Sequence, residues 1–263
     1  MTLNSNRIIT GLFFSLLMSA PGWTEDHKEE NKKHDAHEKA PHWSYERESG
    51  PEAWGKMNPD WNLCIKGSEQ SPIDLKWKKP VKDRSISFFY NSTPAEIIDN
   101  GHTIQVNFKP GSKVDLDGKV FDLVQFHFHA ESEHTIASKH FPLELHFVHK
   151  NEAGELAVVG VLFKIGAENE ALEKLWKDIP HKKEKAVSLS SKTFDPSRLL
   201  PTKTTHYHYK GSLTTPPCSQ GVNWNVLNTP LEISEKQLKT FHKIYAKNNR
   251  PVQTLHSRKP ANF

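Results

Sequence analysis

The chain has 263 residues, 35% of them hydrophobic and 25% charged, with 35 basic and 31 acidic side chains for a formal net charge of +4. That length is ample for one large buried core, and so small a positive excess excludes an extended nucleic-acid surface. The unusual count is the 16 histidines.

Arg7, the apolar run Ile8 to Met18 and the small residues of Ala20-Pro21-Gly22 read as a signal peptide over residues 1–22. The run is too short to cross ~30 Å of hydrocarbon. No other segment is long and apolar enough, so no membrane span is expected after cleavage, and the mature protein is expected in the periplasm or secreted. Residues 23–40 are charged and carry His27, His34 and His37. They lack the apolar residues that offset ordering entropy, and read as a disordered tether. The globular part runs over residues 41–263. Its first stretch is rich in Trp, Gly and Pro without a period, and is expected as irregular surface covering.

Strand signals follow at Ile86–Tyr90, Ala95–Asp99, Thr103–Phe108, Lys113–Leu116, Val120–His129, Leu143–His149, Leu156–Ile165 and Thr205–Tyr209. Leu156–Ile165 is almost wholly apolar and is expected as a central strand buried on both faces. Helices are expected over Glu168–Lys177 and Ser234–Lys247, the second opened by a Ser234/Gln237 capping box. The fold class is mainly β: a single domain around a large, mostly antiparallel twisted sheet with a few peripheral helices. In an oxidising compartment Cys64 and Cys218 read as a disulfide closing a loop of roughly 150 residues, an upper stabilisation of about 5 kcal/mol. Two free buried thiols are the alternative.

Gln125-Phe126-His127-Phe128-His129 alternates strictly. In a strand, Gln125, His127 and His129 share one face and the phenylalanines the other. Glu144-Leu145-His146-Phe147-Val148 repeats the pattern. If the two strands are neighbours, His146 faces the first pair. Three nitrogen ligands without a cysteine leave a fourth position open, as at a catalytic zinc. Gln125 and Glu144 lie on the same faces and can accept the outer N–H of the ligands. His206 and His208 form a rival His-x-His pair that spacing alone does not exclude.

These segments, with Ser132-Glu133-His134-Thr135, Gly67-Ser68-Glu69-Gln70-Ser71-Pro72-Ile73, Asn100-Gly101-His102 and Gly211-Ser212-Leu213-Thr214-Thr215-Pro216-Pro217 in order, resemble the signature of the exported, bacterial-type alpha-class carbonic anhydrases. The resemblance covers the chain from about His42 to its C-terminus. It implies reversible hydration of carbon dioxide to bicarbonate and a proton by attack of zinc-bound hydroxide. It implies zinc on His127, His129 and His146, with Gln125 and Glu144 as their outer partners. By position, Thr214 and Glu133 take the relay that orients the hydroxide, and His102 takes the proton shuttle. Tyr45, Asn100 and Gln105 order the proton-path waters, although an asparagine is common where Gln105 stands. Val148, Val158, Leu213, Val222 and Trp224 form the wall that holds carbon dioxide, with Thr215 beside the bicarbonate site. Ala130 replaces a tryptophan common in animal members. Cys64 and Cys218 fall at the disulfide positions of exported members. The implied partner is a small-molecule substrate; a homodimer is left open. The competing readings are an inactive relative of that family, a periplasmic metal-binding protein using its His-rich tether, and a zinc hydrolase acting on esters.

Overall fold

A computed structural model describes residues 41–76, 81 and 84–263; the signal peptide and the tether expected over 1–40 lie outside them. The opening stretch is less irregular than its composition suggests. It holds two one-turn helices, α1 (Trp54–Met57) and α2 (Leu63–Lys66), with a 3-10 turn over Pro59–Trp61 between them, and together these pack Trp54, Trp61 and Cys64 with Cys218 into a small cluster. Next come β1 (Asp74–Leu75), β2 (Ile86–Phe89), β3 (Thr93–Asp99), β4 (Ile104–Phe108), β5 (Lys113–Leu116), β6 (Lys119–His129), β7 (Thr135–Ile136), β8 (Leu143–Lys150) and β9 (Leu156–Ile165). The rest is α3 (Glu170–Lys177), β10 (Val187–Phe194), β11 (His206–Ser212), β12 (Gln220–Ile233), α4 (Glu235–His242) and β13 (Ala261–Asn262).

Eleven strands form one mixed sheet in the order β10-β3-β4-β6-β8-β9-β12-β11-β13, with β2 and β5 joined to it through β6. All its pairings are antiparallel except β9 with β12. The expected strands are all present, β5 and β9 with the expected bounds and the others with shifted ends, and β9 is buried from Ala157 to Phe163 as its composition requires. Five strands among the described residues are additional: β1, β7 and β13, each of two residues, and the longer β10 and β12. In β12, Val222, Trp224 and Val226 do alternate, but Asn223, Asn225 and Pro230 are poor strand formers. A register shift between Leu227 and Leu231 takes up the proline. β10 is an exposed, serine-rich edge strand paired only to β3. The last helix ends at His242, five residues short of expectation. Past it, tertiary bonds replace the helical ladder: the Tyr245 hydroxyl donates to Asp99, and Asn248 N–H donates to Ala130 O.

Side-chain alternation divides the interior in two. Phe126, Phe128, Leu145, Phe147, Val159, Val161 and Phe163 point to one face, where Leu172, Leu175 and Trp176 of α3 and Phe241 of α4 cover them. Burying each such large apolar side chain contributes about 1.5–3 kcal/mol. Val158, Leu162, Trp224 and Val226 point to the other. β6 keeps this division only through a bulge. Leu123 pairs with His149 and Gln125 with Val148, so Val124 is one residue extra and stands exposed.

Candidate active site

His127 and His146 are direct partners in the β6–β8 ladder, and His129 lies opposite Glu144. Alternation therefore places the three imidazoles on the face away from the phenylalanines, with ring centroids 5.0, 5.3 and 4.6 Å apart. One nitrogen from each lies within 4.8 Å of the others.

The remaining nitrogens are held. His127 Nδ1–H donates to Gln125 Oε1 at 2.8 Å, His129 Nδ1–H to Asn248 O at 2.7 Å, and His146 Nε2–H to Glu144 Oε1 at 2.9 Å. A carbonyl or carboxylate only accepts, so each bond fixes a tautomer. The nitrogens left with lone pairs are His127 Nε2, His129 Nε2 and His146 Nδ1. His129 Nε2 is buried without a hydrogen-bond partner. A buried acceptor left open costs about 1–3 kcal/mol, and a cation recovers it. Burial holds His127 well below its usual pKa, with His129 and His146 adding to the effect, and burial likewise lowers His129. Both rings are thus neutral, the form that ligates. The donor set fits zinc with an open fourth position.

Burial opposes ionisation of Glu144, but His134 and His146 outweigh it and hold the carboxyl well below the usual carboxylate range. His134 donates from Nδ1 to Glu144 Oε1 at 2.7 Å and from its backbone to Oε2 at 2.9 Å, and its Nε2 accepts from Tyr209 at 2.6 Å. His134, Glu144 and His146 are themselves close enough to suggest a ligand set. Their facing atoms are already hydrogen-bonded to one another, so they brace the triad instead.

Glu133 is fully buried, and its Oε1 accepts from Arg250 N–H at 2.8 Å. Its Oε2 has no partner, so the bond to Thr214 implied by the resemblance is not formed. Val158, Val222 and Trp224 share one apolar cluster with Val148 and Leu213 packed against it. The Trp224 ring lies 4.8 Å from that of His146. Thr215 O accepts from Cys218 N–H, and Cys218 is bridged to Cys64.

His102 follows the Asn100-Gly101 turn between β3 and β4. Its ring stacks on Trp43 at 3.7 Å and lies 5.9 Å from His42. Burial lowers its pKa, and His42 and Lys183 lower it further. Asn100 Nδ2 donates to Gln105 Oε1 at 3.1 Å, and Gln105 pairs with His127 across the ladder. Tyr45 packs edge-on against Trp43 and Trp54, and burial pushes its phenol well above the usual range. The rival pair does not converge. His206 donates to Thr204 O and His208 contacts Asn225, and among the described residues no third group completes a ligand set with them. Asn248 and Arg250 escaped sequence reasoning. They lie in a loop beyond α4, with no pattern that ties them to β6.

A family model described as eukaryotic-type carbonic anhydrase matches residues 49–260. A carbonic anhydrase of Pectobacterium carotovorum is 43% identical over 218 residues, covering 82% of this chain and 89% of that one. A carbonic anhydrase of Klebsiella pneumoniae is 44% identical over 222 residues, covering 83% and 90%. The structure of the alpha-carbonic anhydrase of Thermovibrio ammonificans with the inhibitor sulfanilamide superposes with a TM-score of 0.80 at 46% identity, covering 84% of this chain and 98% of that one.

Proposed function

Because the chain belongs to the eukaryotic-type, or alpha, carbonic anhydrase family, we propose that it catalyses the reversible hydration of carbon dioxide to bicarbonate and a proton at the histidine triad, with zinc as its cofactor. The observation that carries this reading is the convergence of three anchored imidazoles, one of them with a buried nitrogen that has no partner. His127, His129 and His146 hold the zinc. The ion supplies Lewis acidity that makes a water nucleophilic near neutral pH, an effect for which this enzyme class is the standard example.

The chain's own groups do the rest. Gln125, Glu144 and the Asn248 carbonyl fix the ligand rings. Glu133, held on one oxygen by Arg250 N–H, offers its free Oε2 to the Thr214 hydroxyl. With its O–H donated in a hydrogen bond to Glu133, the Thr214 oxygen can only accept, which aims the attacking water's lone pair at the substrate carbon. Val148, Val158, Leu213, Val222 and Trp224 offer an apolar wall to carbon dioxide, with Thr215 beside the departing bicarbonate. His102 passes the proton outward, along waters ordered by Tyr45, Asn100 and Gln105.

The Cys64–Cys218 disulfide supports a site of action outside the cytoplasm, periplasmic or secreted, after removal of residues 1–22. No helix among the described residues is long and apolar enough to cross a membrane. Stopped-flow hydration of carbon dioxide tests the proposal on protein as purified, after zinc chelation, and after zinc is restored. Activity should vanish and return. Zinc-replete protein without hydration activity would refute it.

A further inference from the structure

Strand pairing between β4 and β6 runs from Asn107 with Gln125 to Gln105 with His127, and stops there. Beyond it, Phe128 O and Ala130 N–H, on either side of His129, need other partners. Asn248 is fully buried and meets both. Its Nδ2 donates to Phe128 O at 2.9 Å and to His102 O at 3.1 Å, and its Oδ1 accepts from Ala130 N–H at 2.8 Å. The amide orientation follows, because a flipped group would set its oxygen against two carbonyls. Its backbone carbonyl accepts from His129 at 2.7 Å. One residue therefore touches the ligand-bearing strand at several points and the backbone of His102 as well.

We propose that Asn248 is a positioning residue for proton transfer, its side-chain amide clamping the backbone of His102 to the strand that carries His127 and His129. The inference rests on the reading of His102 as the proton-transfer group. The backbone N–H groups of His102 and Thr103 both donate to Asn100 Oδ1 at 2.9 Å, a partner inside the same turn. Those bonds shape the turn without fixing it to β6. The Tyr245 hydroxyl holds Asp99 at the base of the turn, again short of β6. Thr103 ties the turn to β6 one residue further on, its Oγ1 donating to Phe128 O at 2.5 Å and accepting from Phe128 N–H at 3.3 Å; the Asn248 bond makes the tie at the shuttle residue itself. Transfer through ordered water depends steeply on the separation and alignment of its end points, so a looser His102 backbone should slow the proton and spare the chemical step.

Asn248→Ala leaves the backbone carbonyl that His129 uses but frees Phe128 O and Ala130 N–H on either side of that ligand, so each activity is referred to the zinc bound. In dilute bulky buffer kcat should fall about fivefold with kcat/KM held within about twofold, a loss well inside the ~10²–10⁴ that a positioned proton-transfer group contributes. Added imidazole should restore most of it. In a His102→Ala background the same substitution should lower kcat no further. In zinc-free protein, amide hydrogen exchange at Gly101 to Thr103 should accelerate, a readout that does not depend on activity. Equal losses in kcat and kcat/KM, a further loss in the His102→Ala background, or unchanged exchange would each overturn the proposal. Should Asn248→Ala not fold, Asn248→Ser, which keeps one donor, takes its place, with smaller shifts expected in the same directions and the same outcomes decisive. Zinc-replete wild-type protein without hydration activity would refute the assigned function instead, and the exchange measurement would still decide whether Asn248 holds the turn.

Discussion

The carboxylate of Glu144 occupies the space that a side chain on Gly160 would fill: a Cβ there would stand 2.9 Å from Glu144 Oε1. That same oxygen accepts from both His134 and His146. Gly160→Ala should therefore displace Glu144 and loosen His146, lowering zinc affinity about 10- to 100-fold, the usual effect of losing an outer partner of a metal ligand. Chelator competition measures it. Unchanged affinity would show that Glu144 can retreat and still orient His146.

His146→Ala should abolish stoichiometric zinc binding and hydration together, in protein shortened to begin at residue 41 as in the full chain. Metal analysis beside a hydration assay reports both. Full zinc and full activity in that variant would sink the ligand assignment and return attention to His206 and His208.

His102→Ala should lower kcat and leave kcat/KM nearly unchanged. The ring takes no part in ligation, while regeneration of the catalytic site limits turnover at high substrate. Imidazole, small enough to enter a cleft and able to carry the proton itself, should restore much of the loss. A parallel fall in both parameters without rescue would give His102 a structural role.

Cys64 and Cys218 are bridged across 154 positions of sequence. Closing so long a loop in the unfolded chain is worth up to about 5 kcal/mol. Serine at both positions should lower the urea midpoint accordingly, and peptide mapping without reductant should recover the linked fragments. Because Cys218 N–H donates to Thr215 O, kcat/KM should fall as well. Recovery of both cysteines as free thiols in protein folded under oxidising conditions would contradict the bridge.

Acid should unfold the protein partly through His149, which is fully buried on the phenylalanine side of β8 and bonds Tyr90 at 2.7 Å. Burial lowers its imidazole to about 3, against ~6.5 for the exposed side chain. Between those values the unfolded chain binds a proton that the folded chain does not. The contribution of the neutral ring is complete above pH ~6.5 and is lost as pH falls toward about 3. Replacing it, as in His149→Gln, should remove about 1.4 kcal/mol per pH unit from the slope of unfolding free energy across that window. An unchanged slope in urea titrations from pH 6.5 to 4 would show that other groups set the acid limit.

What the sequence made legible follows from local geometry. Period-two alternation placed His127, His129 and His146 on one face, and Gln125 and Glu144 beside them, because a strand's side-chain directions depend on nothing distant. The capping box of α4 was equally local. Asn248, Arg250 and Gly160 were not legible. Their roles depend on which strand or loop arrives opposite, 119 residues away in the case of His129 and Asn248. β12 was hidden by its asparagines and its proline, which the parallel pairing with β9 overrides.

A one-codon deletion is usually ruinous in a strand, because every residue past it changes sides. The bulge in β6 makes Val124 an exception. With it gone, Phe121, Leu123, Phe126 and Phe128 would alternate without interruption against Gln125, His127 and His129, each on the face it already holds. Losing Phe126 instead would send Gln125 into the phenylalanine core. Removing Val124 deletes no inward side chain and moves none of the triad, so the strand's length carries one unit of slack beside the bulge.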